Sequence, residues 1–410
     1  MTTQCRFCHT PLQHTFSDLG LSPIANDYVS KEQLHRAEKF YPLHTYVCEK
    51  CFLVQIEDFE SPEHIFGDGD YAYFSSFSDS WLKHAKAYTG LMVKTFGFDA
   101  SSQVIEIASN DGYLLQYFKE KGIPVLGVEP AANTAKVAEE KGIPSLVKFF
   151  GVETAKGLVA DGKQADLLLG NNVLAHVPDL NDFVAGMKIV LKPKGIITME
   201  FPHLLQLMEQ NQFDTIYHEH YSYYSFLTVS QIFASHGITL FDVEEIPTHG
   251  GSLRVFGCKI TASHQQTAAV SALSDVERTQ GMETASYYES FQANANALKD
   301  GLLNFLLQTK ARGKTVAGYG AAAKGNTLLN YAGIKADLLP FVVDAAPAKQ
   351  NKFLPGSHIP VFDPQVLEEK RPDFVVILPW NIADEVCEQL APLAALGTQF
   401  VTAVPDLKIR

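Results

Sequence analysis

Residues 214–225 read Asp214-Thr215-Ile216-Tyr217-His218-Glu219-His220-Tyr221-Ser222-Tyr223-Tyr224-Ser225. An imidazole can take a proton near neutral pH, a phenol can stabilise an oxyanion, and a carboxylate can orient an imidazole. The three parts together suit proton abstraction beside a carbonyl. The spacing is not H-E-x-x-H, so a helical zinc-protease site fails on geometry. The plainer alternative is a polar, aromatic helix start with solvated histidines; so dense a run of titratable groups favours chemistry.

The elements that must position these groups lie upstream. Val104-Ile105-Glu106-Ile107-Ala108-Ser109-Asn110-Asp111-Gly112 is an apolar β-type run ending in a polar turn, and a helical pattern follows from Tyr113. Val125-Leu126-Gly127-Val128-Glu129 is a second apolar run closed by an acid. Turn amides and a helix N-terminus can hold a carboxylate, and Glu129 can accept two ribose hydroxyls. Dinucleotides and S-adenosylmethionine (SAM) both need that geometry. The turn lacks G-x-G-x-x-G, which favours SAM, a ligand without phosphate.

Asp166–Gly170 reads as a third buried strand, ending in Asn171, Asn172 and, after a short turn, His176. A helix over Leu180–Leu191 and a strand over Ile196–Glu200 follow. Strands alternating with helices predict a doubly wound parallel sheet with ligands over the carboxyl ends of its strands. The cofactor set expected there is Glu106, Ala108, Asn110, Gly112, Glu129, Phe149, Asn171, Asn172 and His176. Phe149-Phe150 can flank an adenine or pack as a core pair. Roughly residues 85–245 resemble the class I SAM-dependent methyltransferases, although only Gly112 keeps a glycine of their usual turn.

Cys5-x-x-Cys8 and Cys48-x-x-Cys51 can direct four thiolates at one tetrahedral Zn²⁺. Four cysteines close the shell, so this zinc is expected to be structural. A redox pair is the rival, but no βαβ pattern surrounds either motif. His9 and His44 are expected bystanders, and Cys258 and Cys387 core residues. Tyr71-Ala72-Tyr73-Phe74-Ser75-Ser76-Phe77-Ser78 is either packing between domains or a substrate lid whose phenols reach a cleft.

Beyond a long helical pattern over residues 270–312, Lys314–Thr327 gives strand, glycine turn and helix around Gly-Tyr319-Gly-Ala-Ala-Ala-Lys324. Phe341–Asp344 and Phe374–Leu378 are further parallel strands, making a second Rossmann-like unit. Its turn amides and Lys324 can hold a diphosphate, or the turn is a packing relic. Lys349, Asn351, Lys352, Trp380 and Asn381 follow strand ends and can complete a nucleotide pocket. The run His249-Gly250-Gly251-Ser252-Leu253-Arg254 lets backbone approach a ligand, or is a plain hairpin turn.

Bulk properties bound the reading. The chain has 410 residues, enough for two or three domains, with 46% hydrophobic and 19% charged residues. A net charge of -13 argues against a nucleic-acid partner. No apolar run approaches a membrane span, and the N-terminus is no signal peptide, so a cytoplasmic enzyme in a reducing compartment is expected.

The four-cysteine module, I-E-I-A-S-N-D-G, Y-H-E-H-Y, H-G-G-S-L-R and G-Y-G-A-A-A-K-G together resemble the nucleotide-sugar C-methyltransferases of deoxysugar biosynthesis, over essentially the whole chain. The resemblance implies SAM, a structural zinc, carbon methylation of a nucleoside-diphosphate ketosugar (usually a thymidine diphosphate) and a monomer. It places the base on His220, with Tyr217 and Glu219 beside it and a substrate-contacting tyrosine at Tyr71 or Tyr73. The expected α/β architecture is a zinc-binding domain at 1–75, a SAM-binding methyltransferase domain at 76–245 and a Rossmann-like nucleotide-sugar domain at 246–410. His249, Arg254, Tyr319, Lys324, Lys349, Asn351, Lys352, Trp380 and Asn381 form the expected substrate set. An O-methyltransferase on a similar sugar is the close rival, and a zinc-ribbon RNA methyltransferase the distant one.

Overall fold

The computed structural model describes residues 3–63 and 74–410; Tyr71 and Tyr73 lie outside the described residues. In chain order the strands are β1 (His14–Ser22), β2 (Tyr41–Val47), β3 (Val54–Ile56), β4 (Val104–Ile107), β5 (Val125–Val128), β6 (Ser145–Leu146), β7 (Ala165–Asn171), β8 (Leu191–Pro202), β9 (Ser222–Tyr223), β10 (Ile238–Ile246) and β11 (Ser252–Lys259). The C-terminal third adds β12 (Val316–Tyr319), β13 (Val342–Val343), β14 (Val361–Phe362), β15 (Phe374–Ile377), β16 (Gln399–Thr402) and β17 (Lys408–Ile409).

The central sheet runs β10-β11-β8-β7-β4-β5-β6. Strands β4 to β8 are parallel, and β11 lies antiparallel between β8 and β10. The unbroken apolar stretch Leu167-Leu168-Leu169 is fully buried, as a parallel strand covered on both faces requires. Strand order reverses between β4 and β7, which opens a crevice beyond their carboxyl ends. The helix Asp79–Phe96 closes one flank. Ser78 caps it by accepting from the Trp81 amide, and Gly97 ends it at φ +72°.

The central sheet runs across the expected boundary at residue 245. Strand β11 pairs with β8 along Ser252–Cys258 and completes the central layer. The hairpin β10–β11 buries Leu253 and Val255 there. The C-terminal sheet runs β14-β13-β12-β15-β16-β17, parallel except for β17, with its own reversal between β12 and β15.

The N-terminal module is not an appendage. Its sheet β1-β2-β3 takes β9 as fourth strand, donated from residues 222–223. Elsewhere it docks on the C-terminal third: Val29 pairs with Phe353, Glu38 accepts from Gly356 N and bonds His358, and Gln292 accepts from Asp18 N at 2.6 Å. Residues 214–225 thus sit where all three parts meet.

Candidate active site

The zinc knuckles are two copies of one turn. Cys5 O accepts from His9 N and Cys48 O from Phe52 N, both at 2.9 Å, with His9 and Phe52 in left-handed backbone (φ +59° and +57°). The four Sγ atoms lie within 4.8 Å of one another, with Cys5–Cys51 at 3.6 Å and Cys8–Cys48 at 3.5 Å. Zn–S bonds near 2.3 Å in a tetrahedron separate sulfurs by roughly 3.8 Å, so the set fits Zn²⁺ with no position left open. His44 bonds Thr15 and stacks on Tyr46, outside that shell.

The turn after β4 supplies the second feature. Ala108, Asn110 and Gly112 all have positive φ (+55°, +50° and +75°), so the backbone of a glycine-rich loop is kept with two non-glycine residues in it. At Gly112 a Cβ would meet Ile143 at 2.4 Å. Glu129 fixes the turn by accepting from Asn110 N at 2.8 Å and Ala131 N at 2.9 Å.

Beside this turn, among the described residues, both amide atoms of Asn171 and Ser109 Oγ are buried without a hydrogen-bond partner, and the buried Glu106 carboxyl has Tyr113 beside it. Such atoms are costly unless a ligand satisfies them. Burial pushes the Glu106 carboxyl well above the usual range, and the nearby charges of Glu129, Asp111 and Glu200 add to it. An acid-lined cradle of this kind favours a cation, and it fits the ammonium, sulfonium and ribose of SAM. Phe149, 39% exposed, lies past β6, whereas Phe150 packs on Phe183 in the core.

A wall led by Trp81 and His84, neither anticipated from sequence, faces the cradle. Trp81 stacks on His84 at 4.8 Å and on Tyr113 at 6.0 Å, and meets His249 edge-on at 5.3 Å. His84 bonds Glu200 at 2.7 Å. Burial alone would raise the Glu200 carboxyl; the His84 bond and the Arg254 charge outweigh it and hold it low. Arg254 sits across from Glu200 on β8 and from Glu244 on β10, bonded to both at 2.7 and 2.6 Å. Its guanidinium is therefore committed within the sheet rather than extended toward a substrate.

The loop that carries the histidines is pinned from three sides. Tyr221 N donates to Ala175 O, Ile56 N to Tyr221 O, and Thr327 Oγ1 to Ile216 O. His220 Nδ1–H donates to Thr215 O at 2.9 Å, which assigns the proton to Nδ1 and leaves Nε2 an acceptor. The rings of Tyr217 and His176 lie 4.0 and 4.8 Å from that of His220. Burial and the neighbouring His176, His249 and Lys324 hold the His220 imidazole well below its ordinary pKa, so it is neutral.

His218 points the other way. It donates to Pro42 O at 3.2 Å and meets Tyr41 and Phe59 of the zinc module edge-on. His176, expected in the cofactor set, is brought against His220 instead and donates from Nδ1 to Glu219 O at 2.7 Å. Burial lowers its pKa to about 4. The Glu219 carboxylate does not orient an imidazole. It accepts from Asn26 of the N-terminal module, and burial raises it to about 7.

The C-terminal unit adds a basic wall. Lys324 Nζ donates to Asn381 Oδ1 at 2.7 Å and lies 4.5 Å over the Trp380 ring. Trp380 Nε1 donates to Asp214 Oδ2 at 2.8 Å, at the root of the histidine loop. A Cβ on Gly250 would lie 2.4 Å from the same indole, so only glycine admits this contact. His249 (φ +54°) accepts from Asn172 at 3.0 Å and joins the cofactor side to the Lys324 side. Lys349 donates to Ala321 O and pairs with Asp344 at the glycine turn.

Three expected substrate contacts fall elsewhere. Tyr319 donates to Gln389 and packs in the core under the C-terminal sheet. Asn351 is exposed, and Asn351 and Lys352 pair through their backbones with Val361.

Known proteins share this organisation. Residues 5–66 match a zinc binding domain family, 81–243 a methyltransferase domain family, and 247–405 the C-methyltransferase C-terminal domain family. The C-methyltransferase NovU of Streptomyces niveus is 32% identical over 99% of this chain and 96% of its own. A ubiquinone biosynthesis O-methyltransferase of Chelativorans sp. is 28% identical over 23% of this chain and 38% of its own. Among solved structures, the PH0226 protein of Pyrococcus horikoshii aligns at 15% identity over 49% of this chain and 99% of that one, with a TM-score of 0.37. On identity along the whole chain, with all three regions matched in order, this protein belongs to the SAM-dependent C-methyltransferases.

Proposed function

We propose that the enzyme methylates a ring carbon next to the ketone of a nucleoside-diphosphate ketosugar, with thymidine as the expected nucleoside, and works as a cytoplasmic monomer. The observation that carries the reading is the neutral His220. Its Nδ1 is tied to a backbone carbonyl, its Nε2 is an acceptor, and Tyr217 lies against it. The nearby Lys324 charge acts on the same ring, which suits an anionic nucleotide sugar and the enolate formed from it.

His220 Nε2 takes the proton from the carbon beside the ketone. Tyr217 donates to the oxygen on which charge develops, a part also open to Tyr71 or Tyr73. Lys324, with Lys349 at the glycine turn, holds the diphosphate. Glu106, Asn171 and Glu129 would hold SAM, which would supply an electrophilic methyl group when bound. The three walls around the loop exclude water from the enolate.

The test is incubation with SAM and a panel of nucleoside-diphosphate ketosugars, read by mass spectrometry and product NMR. A new methyl on carbon supports the reading. A methyl on oxygen moves the enzyme to the rival chemistry, and no transfer to any bound ketosugar removes the substrate class.

A further inference from the structure

The segment after β1 is held at both ends. Ser22 ends a strand of the zinc module, and Val29 exchanges both backbone hydrogen bonds with Phe353 of the C-terminal unit, at 3.0 and 2.8 Å. Between these anchors the chain turns at Ala25-Asn26, with Tyr28 N donating to Asn26 O at 3.0 Å. The Asn26 amide Nδ2 lies 2.9 Å from both carboxylate oxygens of Glu219. Two residues on, the Tyr28 phenol donates to Ala321 O at the glycine turn, and Lys349 lies 5.7 Å over its ring. The turn therefore touches the histidine loop and the expected diphosphate site together.

We propose that Asn26 is a positioning residue of the active site, which holds the Glu219 carboxylate ionised and facing the sugar. The proposal rests on the methyl-transfer reading above. An ionised carboxylate accepts from a sugar hydroxyl; a protonated one loses that capacity on one oxygen. Glu219 is buried, and no other side chain among the described residues donates to it. The titratable groups around it are Tyr28, Tyr221 and, through the backbone carbonyl, His176. None of them carries a positive charge at neutral pH, so the Asn26 side-chain amide, with the Asn26 backbone N–H behind it, is what opposes burial. The zinc module then supplies a working part of the site, and the ion stabilises the frame that carries it.

The experiment is Asn26→Leu, which keeps the size and the backbone N–H and removes the side-chain donor. A bond to a charged group contributes about 1.5–3 kcal/mol, which moves the Glu219 pKa up by at least about one unit. With Glu219 starting near 7, the ionised fraction at pH 7 falls from about half to about a tenth. The expected result is a roughly fivefold lower kcat at pH 7, recovered near pH 9, with zinc content and SAM affinity unchanged. Asn26→Gln, which keeps the amide, restores the wild-type profile. A leucine variant with the wild-type pH profile overturns the proposal. If that variant does not fold, Asn26→Asp decides, since a like charge beside Glu219 must move the profile the same way or overturn it.

A readout without turnover separates the two readings. Melting temperatures of wild type and Asn26→Leu should diverge more at pH 8.5 than at pH 6, because ionised Glu219 gains more from the bond than the neutral acid does. Divergence in an enzyme that methylates no ketosugar sinks the substrate reading and keeps the role of Asn26. Equal melting differences at both pH values sink the role of Asn26 alone.

Discussion

Trp380→Phe isolates one hydrogen bond between the C-terminal unit and the histidine loop. Phenylalanine keeps a ring against Gly250 and under Lys324 but removes the Nε1–H that Asp214 accepts at 2.8 Å. Burial raises the Asp214 carboxyl from 3.8 to about 6, against the Lys324 charge, the indole bond and backbone N–H groups of the loop. A folded pKa above the unfolded one means that ionised Asp214 destabilises the fold. This cost is absent below the unfolded pKa and complete above the folded one, near 3 kcal/mol for about two units. Losing the indole bond removes about 1.5–3 kcal/mol from the ionised form and less from the neutral form. In the variant Asp214 therefore titrates at roughly 7–8.

The melting temperature of Trp380→Phe should fall at every pH because the smaller ring packs less well. The fall should be larger at pH 8 than at pH 5 by roughly 2–6 °C, on a scale of about 2–4 °C per kcal/mol for a domain of this size. Scanning calorimetry at the two pH values measures it. An equal fall at both would show that the indole bond does not stabilise an ionised Asp214, and the account of this latch would be wrong.

Replacing His220 by Asn should cut turnover on the order of 10²–10⁴-fold while calorimetric SAM affinity stays near wild type; unchanged turnover removes it from the base role. Glu106→Gln should weaken SAM binding at least about tenfold, yet raise the melting temperature of the unliganded enzyme, because a neutral amide replaces an acid buried among acids. Equal SAM affinity would take Glu106 out of the cradle. Cys8→Ser should lower bound zinc, measured as metal per chain, and lower turnover more than SAM affinity, since the sheet of the module takes its fourth strand from the histidine loop. The reverse ranking would contradict that placement.

Apolar runs, cysteine spacing and the strand-turn-helix signals made the three-part order legible, because each is a local pattern. What escaped was set by partners distant in sequence. Arg254 looks like a free basic arm, but register places it between Glu200 and Glu244 on neighbouring strands. Every residue from Ser252 to Cys258 is buried, so β11 offers no alternation to say which way Arg254 faces. Tyr319 follows a glycine turn signal, yet its ring belongs to the sheet core. Trp81 and His84, spaced i and i+3 at a helix start, carried a faint signal: the chain has 2 tryptophans, and both Trp81 and Trp380 stand at the site. Asn26 carried none, since an asparagine in a turn is ordinary until its partner is known.

The two-residue strand β9 has a consequence for how the chain is made. Strand β3, with Val54 and Ile56 in the module core, pairs on one side with β2 and on the other with residues that leave the ribosome roughly 170 positions later, a wait of roughly 10–30 s at cellular rates of synthesis. For that time its outer edge is unpaired, the condition under which strands pair with other chains. The nascent N-terminus must therefore be shielded, and Ser222–Tyr223 close that edge in the same step that brings His220 to its place.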